Sequence, residues 1–600
     1  MKEEVFKDAI GFSEITILRK KFYSASVGLT GNPATGVWLV CLFGVFLLFC
    51  MGSNAGAQNF GWAKKIGLGG FDNGQSIATD DEGNVYFTGY AGGNVDFDPG
   101  EGIFEMNMNN GRVYICKLNS QGNFVWARHW GGGSFVDEGT SVCLDGNGNV
   151  YITGFFDGTG DFDPGEGNFY LSSAGDYDIF ISKLDTSGNF IWAKGLGGND
   201  YEKALAITTD KEGGVYITGY FESYMDFDPG PDTFYMGSEG DDDVFVLKLD
   251  ASGEFAWAKS WGWAADDRAY AIVVDDEGNV YTTGSFFGPV DFDPGQDTFF
   301  LLSMGFGDSF ISKLDKSGNF IWAVNFAGTE ESRIFSIAAD SRGNLYTTGY
   351  FKETTDFDPG PDTLTLNSSG RSDGFLCKLD PNGKLVWVNQ FGGYEYDIGQ
   401  SVVLDAYNTV YLTGMFSDTI DFDPGNGAFL LSSYGQVDVF IAVFTSGGNL
   451  VWAGNMGGFV DDAGYSVAVD KAGNIYCTGN FDDTTDFDPG SGVCNLISSG
   501  SGDIFIHKMI QPGFGFELLS TGAEVVAYPN PTDGLIVFET SRAACEVQVI
   551  LRDLVGQVLV EKNYASTNKF DIFIPGPPGI CIAEIKFNDY RRVCLKIVKK

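Results

Sequence analysis

The sequence predicts an all-β chain: a seven-bladed β-propeller of 65-residue repeats, closed by its N-terminal strand and followed by a small β-sandwich. Three observations point there. The string Asp-Phe-Asp-Pro-Gly begins at Asp96, Asp161, Asp226, Asp291, Asp356, Asp421 and Asp486, a step of 65 each time, and self-similarity at a fixed period means one supersecondary unit stacked on copies of itself. Within a unit, short apolar runs alternate around turn residues as strands do, with no helical period between them. Composition agrees, since 84 glycines and 15% aromatics against 20% charged residues describe a turn-rich packed chain rather than a coiled coil or a disordered acidic segment.

Four segments follow along the chain: a leader over 1–57, the propeller over 58–510, a linker over 511–520 and the C-terminal sandwich over 521–600. In the leader, Arg19, Lys20 and Lys21 precede an apolar run over 37–51, and Ala55-Gly56-Ala57 stands before Gln58. A basic start, a run of about 15 apolar residues and a small-x-small end make a secretory signal, cleaved near Ala57. The alternatives are an uncleaved anchor, for which the run is shorter than the roughly 20 residues a spanning helix needs, and lipidation at Cys50, against which Phe49 is bulky. A misassigned start codon would also leave so long a leader. Residues 58–520 hold 22 of the 37 basic and 67 of the 80 acidic side chains. That balance repels phosphate backbones and anionic lipid heads, so nucleic acid is excluded as a partner and membrane contact is left to a signal segment or surface anchoring.

Each propeller unit reads as four strands, named A to D from the axis outward. In the fourth copy 271–274 and 280–284 are the A and B strands, joined through Asp275-Asp276-Glu277-Gly278-Asn279. The turn glycine needs positive φ, and the sixth copy places Asn408 there, the residue that tolerates left-handed backbone best after glycine. A second hairpin, 180–184 to 190–193 through Asp185-Thr186-Ser187-Gly188-Asn189, supplies C and D. Tyrosines at 86, 151, 216, 281, 346, 411 and 476 and tryptophans at 62, 126, 192, 257, 322, 387 and 452 keep the same step, apart from one residue missing between Gly100 and Tyr114 of the first copy. The chain enters on a D-type strand, 60–64, and the last unit stops at its C strand, 504–509, so the first strand is expected to complete the last blade and remove a free edge.

The pattern Asp-x-x-Gly-Asn-Val-Tyr-x-Thr-Gly, then Asp-x-Phe-x-x-Lys-Leu-Asp and a Trp-Ala strand, resembles the Seven-Bladed Beta-Propeller (SBBP) repeat family of bacterial surface proteins across about 60–510. The resemblance implies the fold and no single ligand. In the last segment Tyr528-Pro529-Asn530-Pro531-Thr532-Asp533-Gly534, the 547–550 strand, Asp553 with Gly556, Gly579 with Ile580 and the terminal Lys596-Ile597-Val598-Lys599-Lys600 resemble the type A C-terminal sorting domain of the type IX secretion system. Cys581 stands where that family often has Tyr. This resemblance implies a Gram-negative Bacteroidetes-type organism, recognition of 521–600 by the type IX export machinery, and an extracellular or outer-membrane-surface destination.

Blades traversed A to D place the B-to-C and D-to-A connections on one face of the ring. Calcium takes six to eight oxygen ligands and tolerates loop geometry, so the motif pairs Asp96 and Asp98, Asp161 and Asp163, Asp226 and Asp228, Asp291 and Asp293, Asp356 and Asp358, Asp421 and Asp423, and Asp486 and Asp488 are candidate cation ligands. Backbone carbonyls or Asp72, Asp137, Asp200, Asp266, Glu331, Asp397 or Asp462 would have to complete each site. In the competing reading the first Asp bonds nearby backbone N–H groups, the Phe packs between blades and Pro-Gly forms a type II turn. Variation rather than repetition should mark a ligand site, and the D-to-A loops vary: Phe71, Phe135, Tyr201, Trp263, Tyr394, Tyr396 and Phe459, with Arg268 and Arg333 as their basic groups in the fourth and fifth copies. Aromatic faces beside carboxylates suit a glycan or a protein surface, which makes the chain a secreted or surface-displayed binding or adhesion module; the competing reading is that the rings cover blade edges.

The alternative class is an extracellular carbohydrate-active enzyme using carboxylates on that face. Only His129 and His507 exist, too few for a histidine triad or an all-histidine metal site, and Gly464-Tyr465-Ser466-Val467-Ala468 lacks the final glycine of a nucleophile elbow. In an oxidising compartment Cys477 with Cys494, or a pair among Cys545, Cys581 and Cys594, could bridge.

Overall fold

The computed structural model describes residues 59–132, 137–423, 425 and 427–510, and toward the C terminus 525–528, 535–552, 558–575, 579–587 and 592–599. The leader, the linker over 511–520 and Phe135 lie outside the described residues. Among the described residues every regular element is a β-strand, and no helix is long and apolar enough to cross a membrane.

Seven antiparallel sheets make seven blades of a propeller. Blade 3 is representative: A strand Glu202–Thr209, B strand Val215–Phe221, C strand Asp243–Leu249 and D strand Phe255–Trp261. The A strands touch in sequence around a circuit, from Asn73–Thr79 of blade 1 through Glu138–Leu144, Glu202–Thr209, Arg268–Val274, Ser332–Ala339 and Ile398–Leu404 to Ala463–Val469 of blade 7, which touches Asn73–Thr79 again. In blade 7 the strand beside the C strand Asp503–Ile510 is Asn59–Ile66, antiparallel, with Ala63 opposite His507 and Ile66 opposite Ile504.

The repeat motif explains its own hairpin. In the second copy Asp145 Oδ1 accepts the N–H groups of Asn147 and Asn149, both at 2.9 Å, and Oδ2 accepts the Asn149 amide at 2.8 Å and the Tyr151 hydroxyl at 3.2 Å. An Asp side chain that bonds the backbone two residues on mimics a turn, and the glycine closes it with φ of 79° at Gly148, while Asn408 takes φ of 61° in blade 6. Lysines of the C strands lie over these tyrosines in six blades, as Lys183 does 4.8 Å from the Tyr151 centroid, whereas blade 6 places Val443 opposite Tyr411. The D-strand tryptophans are mostly half-buried: Trp257 donates to the Lys316 carbonyl of the next blade's turn at 3.2 Å, and Trp62 to that of Ser120 at 3.3 Å.

Each A strand carries a β-bulge, between Ala269 and Ala271 in blade 4. The extra residue, Gln75, Thr140, Leu205, Tyr270, Phe335, Gln400 or Tyr465, is half-buried on the inner strand of its blade.

Toward the C terminus five strands form one antiparallel sheet. Leu535–Arg552 pairs along its length with Val558–Phe573 on one side, and with Val525–Tyr528 and Gly579–Phe587 on the other; Arg592–Lys599 adds to Gly579–Phe587. Its core gathers Ile536 and Phe538 from one end of the long strand with Val547, Val549 and Leu551 from the other.

Candidate functional site

The B-to-C connection is more than a loop. In blades 2 to 7 it folds into a two-stranded ribbon of its own, Thr159–Asp161 with Tyr170–Ser172 in blade 2 and Tyr224–Asp226 with Tyr235–Gly237 in blade 3. In blade 1, where the repeat is one residue short, the ribbon runs on from the blade as the long strands Val85–Asp96 and Glu105–Leu118. Asp-Phe-Asp-Pro-Gly closes each ribbon. Asp161 Oδ1 accepts the N–H groups of Asp163 at 3.1 Å and Phe169 at 2.8 Å, and Asp163 Oδ1 accepts that of Gly165 at 2.9 Å; the same three bonds recur in all seven copies, from Asp96 and Asp98 to Asp486 and Asp488.

The motif phenylalanine is a wedge. Phe162 is fully buried, with its centroid 6.3 Å from Trp130 at the end of the preceding blade's D strand and 5.4 Å from Phe180 of its own blade. The Pro-Gly step corrects the expected type II turn, because Gly100, Gly165, Gly230, Gly295, Gly360 and Gly490 are absent from the residues with positive φ. The second Asp explains why, since its bond to the glycine N–H makes an Asx turn that needs no left-handed residue. Among the described residues no group of three or more His, Cys, Asp or Glu side chains is placed to hold a metal ion.

The D-to-A residues separate into two sets. Tyr394 and Phe459 stand 81% and 84% exposed, and Tyr201 and Trp263 are exposed at 43% and 46%. Phe71 is half-buried, 5.9 Å from Tyr90, and Tyr396 is half-buried, accepting a 3.1 Å bond from Arg371. Arg268 is the first residue and Arg333 the second of an A strand, so neither sits in a loop. Arg268 holds Asp242 at 2.6 Å and Asp266 at 3.3 Å, with its guanidinium 4.7 Å from the Tyr220 centroid. Arg333 holds Glu331 at 2.6 Å, and Lys352 meets the same carboxylate at 2.7 Å. Burial pushes Glu331 upward, but Arg333 and Lys352 outweigh it and keep the carboxyl below its ordinary range. These arginines are occupied by acids, so their part in any ligand site is to order the aromatic and acidic groups around them.

Three features escaped sequence reasoning. First, the column at the first or second residue of the A strands reads Asn73, Glu138, Lys203, Arg268, Arg333, Ile398 and Ala463, so blades 3 to 5 carry three successive cations that no other blade has in this column; Lys203 lies 4.3 Å from the Phe155 centroid. Comparing copies column by column would have found it. Second, the ribbons carry exposed rings, Tyr170 at 65%, Tyr235 at 54% and Phe300 at 62%, with Tyr224 stacked on Tyr235 at 5.2 Å and 7°; nothing in the alternation of these residues announced a ribbon. Third, an open cleft of about 620 Å³ is lined by Ser369, Gly393, Tyr394, Asp418, Thr419, Ser432, Ser433 and Gly435, hydroxyls and backbone around one tyrosine ring. It joins the ribbon of blade 6 to the connection preceding it.

His507 is fully buried in the C strand of blade 7, 5.7 Å from Phe60, and burial pushes it down to about 3. His129 is likewise lowered, by burial and then by Arg112. The expected Cys477–Cys494 bridge is corrected: both are free thiols, because Cys477 is buried on a B strand against Thr413 at 3.4 Å while Cys494 sits in the ribbon, its N–H bonded to Asp486. The side chains of Cys545, Cys581 and Cys594 lie outside the described residues.

Set against known proteins, residues 61–95 match the SBBP beta-propeller repeat model. The chain is 22% identical over 505 residues to an uncharacterized WD repeat-containing protein of Acanthamoeba polyphaga mimivirus, covering 70% of this chain and 36% of that one. It is 26% identical over 206 residues to the regulatory protein FlaEY of Caulobacter vibrioides, covering 34% of this chain and 21% of that one. It thus spans about a third or less of the length of these relatives. A crystal structure of a protein of unknown function from Bacteroides caccae overlaps 56% of this chain and 94% of its own, at 11% identity and a TM-score of 0.26. The chain is a seven-bladed β-propeller repeat protein.

Proposed function

We propose that the protein is an exported binding or adhesion module whose propeller offers its B-to-C and D-to-A face to a glycan or protein, with Asn59–Ile66 closing the ring and 521–600 read as a β-sandwich sorting label by the type IX machinery. One observation carries the binding reading: the scaffold columns repeat in every blade, whereas the exposed residues of this face differ from blade to blade. Tyr394 and Phe459 hold their rings in solvent, and the cleft beside Tyr394 presents Ser369, Thr419, Ser432 and Ser433. An aromatic face flanked by hydroxyls and backbone groups is the chemistry that stacks on and hydrogen-bonds a sugar ring. The export reading is supported by the leader's charge and apolar pattern and by the C-terminal motif.

The test is a glycan and surface-protein binding screen with the full chain, repeated with Tyr394→Ala and with Thr419→Val. The expected result is a ligand whose binding weakens at least tenfold in Tyr394→Ala; a ligand indifferent to both substitutions would place the site elsewhere, and no ligand at all would refute the module. Expressing the chain without 521–600 in a type IX-competent host should leave the propeller in the periplasm, and normal surface display would refute the sorting label.

A further inference from the structure

Five of the seven junctions between blades hold carboxylates in pairs. In blade 2 the C strand opens with Asp178, and the A strand of blade 3 opens with Glu202. Both are buried, and they meet at the end of the D strand between them. Gly198 donates its N–H to Glu202 Oε2 at 3.0 Å, while a β-carbon on the neighbouring Gly197 would fall inside the Asp178 carboxylate. The arrangement recurs. Trp263 donates to Asp267 Oδ2 at 2.6 Å beside Gly262, whose β-carbon would enter Asp243. Gly458 donates to Asp462 Oδ2 at 2.7 Å beside Gly457, whose β-carbon would enter Asp438. At each of these three junctions one buried oxygen is left without a hydrogen bond: Glu202 Oε1, Asp243 Oδ1 and Asp438 Oδ1.

The other four junctions differ. Between blades 7 and 1, Asp72 Oδ2 and Asp503 Oδ1 also lack hydrogen bonds, but Lys65 lies 3.1 Å from Asp503 and supplies a positive charge to the pair. Between blades 1 and 2, Arg112 replaces the C-strand acid. Between blades 4 and 5, Ser332 replaces the A-strand acid and Ala327 stands where the others have glycine. Between blades 5 and 6, all four oxygens of Asp373 and Asp397 accept hydrogen bonds.

We propose that the Asp178–Glu202, Asp243–Asp267 and Asp438–Asp462 junctions are proton-binding sites, each holding one proton between its two carboxylates, so that the folded ring strengthens as its surroundings acidify from above neutrality. Two buried like charges so close cannot both ionise cheaply, and one leftover oxygen per pair is what one proton fills. A metal ion would want more: calcium takes six to eight oxygens, and no group of three or more ligating side chains exists among the described residues. The groups facing the pairs do not supply the missing charge. Asp200 and Glu222 face Glu202; Glu239, Asp242 and Asp266 face the second pair, where Arg268 is bound to Asp242 and Asp266; and the third pair accepts from Asn455, Thr485 and the Asp482 N–H. Burial first, and then the partner carboxylate, pushes Glu202 to about 8 and Asp267 and Asp462 to about 7.

The sign follows. The folded chain holds these protons up to about pH 7 or 8, whereas an unfolded carboxyl releases them near pH 4. Between those limits the folded state binds more protons, so stability is full below the unfolded value and is lost as pH rises through the folded one. Each proton changes the unfolding equilibrium about tenfold per pH unit across that window.

The experiment is thermal melting of the full chain at pH 5.5 and 8.5, wild type against a Glu202→Gln, Asp267→Asn, Asp462→Asn triple variant, with infrared spectra of the wild type across the same range. The expected result is a wild type that melts higher at pH 5.5, a triple variant with a flatter dependence that melts above wild type at pH 8.5, and a protonated-carboxyl carbonyl band in the wild type that disappears as pH rises. A wild type that melts no higher at pH 5.5, or lacks that band, overturns the proposal, and the band decides the matter if the variant does not fold. Calcium chloride at pH 8.5 raising the melting point as much as acid does would assign the sites to a cation and overturn the proton.

Discussion

Replacing Trp62 by alanine should loosen the first strand, which no turn ties to its blade, whereas the same change at Trp257 should not loosen its own. Both indoles make equivalent contacts. Trp62 lies edge-on to Tyr476 at 6.3 Å and donates to Ser120 at 3.3 Å; Trp257 lies edge-on to Tyr216 at 6.2 Å and donates to Lys316 at 3.2 Å. Losing an aromatic pair at about 1 kcal/mol, a hydrogen bond at about 1 kcal/mol and a half-buried ring at roughly 1 kcal/mol gives about 3 kcal/mol in either case. The consequence differs because the Trp257 strand, Phe255–Trp261, is tied by a tight turn to its C strand, while Asn59–Ile66 meets Asp503–Ile510 through lateral pairing and the Lys65–Asp503 ion pair, with no connecting turn. In Trp62→Ala, opening of the first strand should become roughly a hundredfold more frequent, since 1.4 kcal/mol is a factor of ten, without the rest of the ring unfolding. Hydrogen exchange read by mass spectrometry on the full chain would show protection falling at 59–66 and at 503–510 in Trp62→Ala, and no such local loss in Trp257→Ala. Equal local protection in the two variants would refute the idea that the N-terminal strand is the latch.

Two further outcomes follow from the loops. Asp145→Ala should cost about 2 to 3 kcal/mol, because it removes a charged acceptor from four donors and strands the Tyr151 hydroxyl. The Asn149, Asn147 and Tyr151 donors overcome burial and hold Asp145 below the ordinary carboxyl range; its contribution is therefore present above the unfolded value near pH 4 and lost as pH falls further, so acid melting of the variant should be shallower than wild type below that pH. Adding a chelator, or calcium, should leave the melting temperature unchanged, because the motif aspartates spend their Oδ1 atoms on their own ribbon; a calcium-dependent rise of several degrees would show that the remaining oxygens of Asp161, Asp163 and their counterparts gather an ion.

Much of the propeller was legible because each repeated residue has one physical job. Asp145, Gly148, Asn149 and Tyr151 define a turn by chemistry that a reader of sequence can apply directly, and Asn408 at φ of 61° shows the reasoning surviving a substitution. The ribbons were not legible, since three-residue strands such as Tyr224–Asp226 are too short for alternation to reveal. Nor was the state of Arg268 and Arg333, whose partners Asp242 and Glu331 are acids in a segment so rich in them that no pairing stands out. The exposed tyrosines were named from variation, but variation could not separate Tyr394, open to solvent, from Tyr396 two residues away, covered and bonded to Arg371.

The same contrast assigns roles to whole columns of the repeat. Where all seven copies agree, as in the first Asp and the Phe of the motif, the side chain turns inward, either to its own backbone or into the gap behind the preceding blade. Where they disagree while buried, as at Ser332 among acids, one change accompanies another: the A-strand carboxylate is gone, and the D-strand end carries the exposed Ala327 where the other copies have glycine, with Phe320–Gly328 running on to pair Ala327 with Asp356. Where they disagree while exposed, as at Tyr170, Tyr235, Phe300, Thr365 and Leu430, the side chains lie on the ribbon surface, so the fold sets little of the choice there. A function that uses this ring must be written in that last class, and in this protein its exposed aromatic members are concentrated in blades 2 to 4 and around the cleft of blade 6.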